Sequence, residues 1–220
     1  MKNVDDCKGE RVETIDIEKW NRKEHFNFFK RVPYPVYNIC FDINVNRLKE
    51  YAQSRNLSFN LSMIHVATTA LNEIENFRYR LRGDEVVLHD SLTPSFTYID
   101  NGSDLFKMVT VQMEDDMTAF VEKAKEKAMT QTEYFVISDF INRDDYIFYS
   151  MLPWISFTSI DHTVNLRQDD AIPRITLGKY HDRKSALYLP FNIQVNHLFV
   201  DGIHLGKLKD RIDETIRALH

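Results

Sequence analysis

The chain has 220 residues, with 28 Lys and Arg against 33 Asp and Glu, a formal net charge of −5. Apolar residues make up 43% and charged residues 28%, which excludes collagen-like, low-complexity and compositionally disordered chains. The acidic balance argues against a dedicated nucleic-acid binder, and no run of about 18 apolar residues offers a membrane span.

Residues 1–14 are polar and acid-rich apart from a short apolar stretch at 12–15, and read as a peripheral N-terminal segment without a secretory signal. Residues 17–30 read as a helix, with Asp16 available as its N-cap and Pro33 and Pro35 beyond its end. Residues 36–43 are β-branched and aromatic and read as a strand. Helices follow at 45–54 and at 62–76, the latter with Met63, Val66, Ala67, Ala70, Leu71 and Ile74 at helical spacing. Residues 85–88, 96–99 and 106–113 read as strands, and 115–128 as an amphipathic helix carrying Met117, Phe120, Val121 and Ala124 on one side. Further strands are expected at 146–150, 155–160, 175–180 and 187–195, before a last helix at about 203–219. With six prolines, six glycines and no linker or repeat, the chain reads as one domain spanning 1–220. Strands outnumber helices without alternating regularly with them, which predicts an α+β fold with a large mixed or antiparallel sheet. Cys7 and Cys40 match no metal or redox spacing, as expected of a cytoplasmic protein with free thiols.

Two segments carry candidate chemistry. In QVNHLFVDGIH (194–204) a histidine, His197, ends a β-rich run, and Asp201 follows four residues later ahead of the last helix. Neutral imidazole is the usual general base near pH 7, although a lone His–Asp pair at a turn is more often a local hydrogen bond. The spacing of His197, Asp201 and His204 matches no standard zinc set. In SMLPW (150–154), Ser150 ends a strand but lies outside a nucleophile elbow, so by itself it reads as a strand exit before a buried Trp154. Arg22, by position alone, reads as a solvated helix charge.

Taken together these segments resemble the trimeric, non-hexapeptide type of chloramphenicol acetyltransferase. WNRKEHF (20–26), DSLTPSFT (90–97), SMLPW (150–154), TLGKY (176–180) and QVNHLFVDGIH (194–204) match that family's motifs in order, and the likeness runs from about residue 15 to the last helix. The resemblance implies the CoA-dependent acyltransferase fold, a two-layer sandwich of a large mixed β-sheet with helices packed on one face. It also implies a homotrimer with active sites at subunit interfaces, acetyl-CoA as co-substrate and no metal. His197 would be the general base, Ser150 the donor to the oxyanion, and Thr176 the holder of an ordered water. Asp201 would pair with Arg22 to support the histidine loop. Trp154, Lys179 and Tyr180 match positions near the CoA arm.

The chain also departs from the pattern. Asn196 replaces a histidine next to the base. Phe29 stands for an acceptor-pocket tyrosine. Ile160, His162 and Arg174 replace an aromatic and two apolar pocket positions, while Phe106 is retained as an apolar candidate, and Ser58 stands for a lysine ahead of the third helix. An Arg in a greasy pocket is costly to bury unpaired, which points to a wetter pocket or a partly anionic acceptor. Chloramphenicol O-acetylation therefore competes with acetylation of a more polar small hydroxyl compound. A non-catalytic trimeric binding protein would keep the fold without the chemistry. The acyltransferase core of a 2-oxo-acid dehydrogenase complex shares the fold and a His-x-x-x-Asp-Gly motif. That family brings lipoyl and subunit-binding domains on Pro/Ala-rich linkers, and residues 1–14 hold nothing of the kind.

Overall fold

The computed structural model describes residues 12–141, 143–163 and 169–220. Its elements are β1 (Val12–Thr14), α1 (Lys23–Phe29), β2 (Val36–Asn44), α2 (Asn46–Ser54), α3 (Phe59–Asn72), α4 (Glu75–Arg78), β3 (Tyr79–Arg82), β4 (Glu85–His89), β5 (Thr93–Ile99), β6 (Phe106–Thr110), α5 (Met117–Thr130), β7 (Tyr146–Met151), β8 (Arg174–Leu177), β9 (His181–Arg183), β10 (Ala186–Asn196) and α6 (Gly202–Ala218).

Among the described residues the strands form two sheets. The smaller is antiparallel, in the order β1-β4-β3. The larger runs β2-β10-β8-β7-β5-β6, with β9 paired to the start of β10. It is mixed: β5, β7 and β8 are parallel neighbours, and the remaining pairs are antiparallel. The architecture is the expected α+β sandwich.

Side-chain alternation gives the large sheet two unlike faces. Ile147, Tyr149, Ile175, Phe191 and Ile193 are buried on the helix side, where the Tyr149 hydroxyl bonds Thr68 of α3 at 2.8 Å. Every residue of α3 from Leu61 to Thr68 is buried, as expected of a central helix. Around it, α6 buries only the stripe Leu205, Leu208, Ile212 and Ile216, and α5 the stripe from Met117 to Ala128. The opposite face carries Cys40, Asn192, Thr176 and Ser150 in one row, because register pairs Asn192 with both Cys40 and Thr176, and Thr176 with Ser150.

Several sequence expectations need correction. The first helix begins at Lys23, because residues 16–23 make a chain of tight turns: Lys19 N–H bonds Asp16 O, Trp20 bonds Ile17 and Lys23 bonds Trp20. Trp20 and Arg22 both turn inward here, Trp20 edge-on to Tyr79 at 5.0 Å and Arg22 toward Asp201, whereas positions two apart on an α-helix point about 200° apart. Asp16 therefore caps no helix, and its carboxylate takes the N–H of Glu18 instead. The third helix starts earlier than 62, with Ser58 as N-cap, and ends at Asn72. Residues 75–78 form a separate short helix leading into β3, and neither β3 nor β9 stands out in the sequence pattern. The expected strand at 155–160 is instead irregular chain crossing the polar face, where the Ile160 carbonyl accepts from Asn192 Nδ2 at 3.3 Å. Gly178 permits that crossing: a Cβ there would lie 2.8 Å from the Phe157 ring. Val12–Thr14, the end of the segment read as peripheral, pairs with β4 as an edge strand. Cys40 is a free thiol, and Cys7 lies outside the described residues.

Candidate active site

His197 follows β10 directly, and its N–H extends the ladder to Pro35 O at 2.7 Å. Its ring lies between two others, stacked on Phe29 at 4.1 Å between centroids and tilted against Tyr37 at 4.5 Å. Its Nδ1 is 3.1 Å from Asp201 Oδ1. A carboxylate only accepts, so Nδ1 carries the proton and Nε2 is left as the basic nitrogen.

Arg22 clamps this loop. It donates to both carboxylate oxygens of Asp201, at 2.7 Å for Nη2 to Oδ1, and to the carbonyls of His197 at 3.0 Å and Leu198 at 2.8 Å. It is 8% exposed, so the reading of a solvated charge fails. The hydrogen bonds from Arg22 hold the Asp201 carboxyl below the usual carboxylate range against the opposing effect of burial. Burial, reinforced by the Asp201 charge, pushes the Tyr37 hydroxyl up to about 12, so it stays protonated and donates to Val200 O at 3.3 Å. Asp201 is the N-cap of α6, and its N–H donates to His204 Nδ1 at 2.8 Å. His204 is thereby part of the helix start, with its pKa lowered chiefly by burial.

Ser150 ends up half-buried beside fully buried Thr176 on the polar row. His162 sits over that row, with Nε2 3.1 Å from both Thr176 Oγ1 and Asn192 Oδ1. Arg174 is neutralised within the chain by Asp170, at 2.6 Å, so its charge gives no reason to expect an anionic acceptor. Asn196 bridges the two regions: its amide donates to Asp170 O at 3.1 Å and its oxygen accepts the Leu198 N–H at 2.9 Å. Phe106, at the sheet edge, is 44% exposed and packs edge-on to Phe135 at 5.8 Å.

A cavity of about 230 Å³ opens where β7 ends, between β5 and the start of α3, lined by Ser58, Leu61, Ile64, Tyr98, Met151 and Trp154 among others. Trp154 is 64% exposed there, not buried as its motif suggested. Tyr180 packs edge-on to Phe59 and under the Lys49 ammonium, and Lys179 is exposed, its N–H bonded to Ile155 O.

The family model described as chloramphenicol acetyltransferase matches residues 11–213. The chain belongs to the chloramphenicol acetyltransferase family. A Klebsiella chloramphenicol acetyltransferase is 28% identical over 204 residues, covering 91% of this chain and 92% of the relative. Chloramphenicol acetyltransferase 3 of Escherichia coli is 27% identical over 203 residues, covering 91% and 94%. A solved chloramphenicol acetyltransferase superposes with a TM-score of 0.86 at 28% identity, covering 94% of this chain and all of that one. A probable dihydrolipoamide acetyltransferase from Listeria monocytogenes superposes at 0.62 with 13% identity, covering 89% of each chain, and shares the fold. No helix among the described residues is long and apolar enough to cross a membrane.

Within this acetyltransferase fold, sequence reading passes over Tyr37, Asn192, Asp170 and Thr97, whose hydroxyl accepts the Met151 N–H at 3.1 Å. Asn192, Gln194 and Asn196 look like the solvent side of an alternating strand. All three are buried, with Asn192 bonded to Ile160 and His162 and Asn196 bonded to Asp170 in the irregular chain that crosses this face.

Proposed function

We propose that this chain transfers acetyl from acetyl-CoA to a hydroxyl of chloramphenicol, with the whole chain as one catalytic domain working in the cytoplasm. His197 Nε2 takes the acceptor's hydroxyl proton as the oxygen attacks the thioester carbonyl, a role typically contributing about 10²–10⁴-fold. Ser150 donates to the oxyanion that forms, a contribution of roughly 3–4 kcal/mol in comparable sites. Thr176 holds water beside it. Arg22 and Asp201 keep the imidazole in its Nδ1–H form and its loop in place. The cavity at the end of β7 has the mixed apolar and polar lining that suits a pantetheine arm, with Trp154 and Ser58 in its wall, and Lys179 and Tyr180 meet the cofactor outside it. Phe29, Phe106, Ile160, His162 and Arg174 line the acceptor side.

The observation that carries this reading is the His197 ring, fixed by Asp201 through Nδ1 and basic at Nε2. One chain keeps this base away from Ser150. Five residue steps, along β10 and one past its end, lead from Asn192, in register with the Thr176–Ser150 row, to His197, roughly 16 Å at 3.3 Å per residue. His197 packs on Tyr37, whose strand partner Val195 is on the helix-side face, opposite Ser150. That separation supports a site completed between copies in a homotrimer.

The test is thiol release from acetyl-CoA with chloramphenicol, run with the wild type and His197→Ala. Drug-dependent release by the wild type alone is expected. No release from folded protein that binds CoA would move the reading to a different hydroxyl acceptor. The polar cluster of His162, Asn192, Arg174 and Asp170 favours that second reading as the alternative.

A further inference from the structure

The Asn192 side chain has one orientation that satisfies its surroundings. Its Nδ2 faces the carbonyls of Ile160 at 3.3 Å and Ile39 at 3.4 Å, and Cys40 Sγ at 3.3 Å. Two carbonyl oxygens require a donor there, so Oδ1 is the atom turned to His162. An amide oxygen only accepts, so His162 Nε2 must carry a hydrogen. The same Nε2 is 3.1 Å from Thr176 Oγ1, and a nitrogen already bearing hydrogen cannot accept from that hydroxyl. Thr176 therefore accepts from His162 in a shared bond. Its own hydrogen cannot point at His162, and in the row Ser150 lies to one side of it and Asn192 to the other.

We propose that His162 is a positioning residue that sets the direction of the Thr176 hydroxyl, making Thr176 a donor into the space in front of Ser150. The inference rests on the acyl-transfer reading, in which that space receives the oxyanion and its water. A leucine at 162 would leave the Thr176 hydroxyl free to rotate and to donate toward Asn192 Oδ1, away from the reacting group. Burial lowers the His162 pKa and favours the neutral ring, whose Nδ1 is then a hydrogen-bond acceptor. The ring thereby stiffens a hydroxyl without bringing charge to a site where negative charge develops.

Two measurements on the full-length protein test this. In the acetyl-transfer assay, His162→Leu and Thr176→Val are each expected to lower kcat by roughly tenfold, about one hydrogen bond, with KM for acetyl-CoA unchanged. The double variant is expected to lose no more than Thr176→Val alone. His162→Gln, whose amide N–H reaches the place of Nε2, is expected to recover most of the rate. Losses that multiply in the double variant, or a Gln variant as slow as Leu, would overturn the proposal. Nitrogen-15 NMR of the histidine rings gives a readout independent of turnover, and the expected tautomer of His162 is Nε2–H. An Nδ1–H tautomer overturns the proposal whatever the rates. A wild type that transfers no acetyl group while showing the Nε2–H tautomer overturns the acyl-transfer reading, and the proposal with it.

Discussion

The two halves of the candidate site are held by different physics. At the end of β10 the support is ionic: Arg22 and Asp201 grip the loop, and His197 hangs from the same carboxylate. In the middle of the sheet the support is neutral: Asn192, His162 and Thr176 share hydrogen bonds on a row fixed by strand register. The difference follows from water. Asp201 keeps a quarter of its side-chain surface exposed, so its charge remains partly solvated, whereas Asn192 and Thr176 are fully buried and an ionised group in their place would meet a large desolvation cost. The ionic half should respond to pH and charge replacement, and the neutral half to loss of individual hydrogen bonds.

The largest expected effect is on chemistry at the ionic half. His197→Ala is expected to lower kcat by about 10²–10⁴-fold or more with the thermal midpoint nearly unchanged, and steady-state kinetics beside a melting curve check it. On the neutral half, Ser150→Ala is expected to lower kcat about 10²–10³-fold while KM for both substrates moves little. Next comes stability. Arg22→Met leaves the Asp201 carboxylate without its guanidinium partner, bonded only to neutral groups, and should cost toward the lower end of roughly 3–5 kcal/mol in urea denaturation, since Asp201 is partly solvated. Asp201→Asn should cost less, because Arg22 keeps the carbonyls of His197 and Leu198.

The pH response sharpens the contrast. The folded-state pKa of Asp201 is depressed, so its contribution is full above the unfolded carboxylate value of about 3.9 and is lost as pH falls through the folded value. The urea midpoint of the wild type should drop more steeply below about pH 4 than that of Asp201→Asn. Thr176→Val, on the neutral half, should leave that acid slope as it is. The smallest effect is expected at Phe29→Tyr, which adds a hydroxyl beside His197: KM for the acceptor should fall by up to roughly tenfold with kcat unchanged.

Much of this is legible in the sequence. The α+β class, most strands, the stripe of α5 and the position of the last helix follow from the sequence pattern, because those elements bury one face against a single layer. The start of the first helix does not, because Trp20 and Arg22 answer to distant partners, Tyr79 and Asp201, and local pattern carries no trace of contacts 59 and 179 residues away. His197, Asp201, Ser150 and Thr176 stand out through their motifs. Asn192 and Tyr37 do not, since a polar residue on an alternating strand looks solvent-facing until something covers it. Part of the covering chain, 155–160, reads as a strand because Ile155, Phe157, Thr158 and Ile160 are β-branched or aromatic. Arg174 looks like an unpaired charge because its partner Asp170 lies in irregular chain, where spacing says nothing about contact.

In the proposed homotrimer, His197 and Ser150 act together only across two copies of the chain. Co-expression of His197→Ala with Ser150→Ala, each expected to keep at most about 1% of the wild-type rate alone, is the decisive measurement. If the halves come from different copies, random mixing restores about a quarter of the wild-type activity, because one site in four draws an intact histidine from one copy and an intact serine from another. Activity that stays at the level of the separate variants, in an assembly shown to contain both chains, would put both residues of each site in one chain.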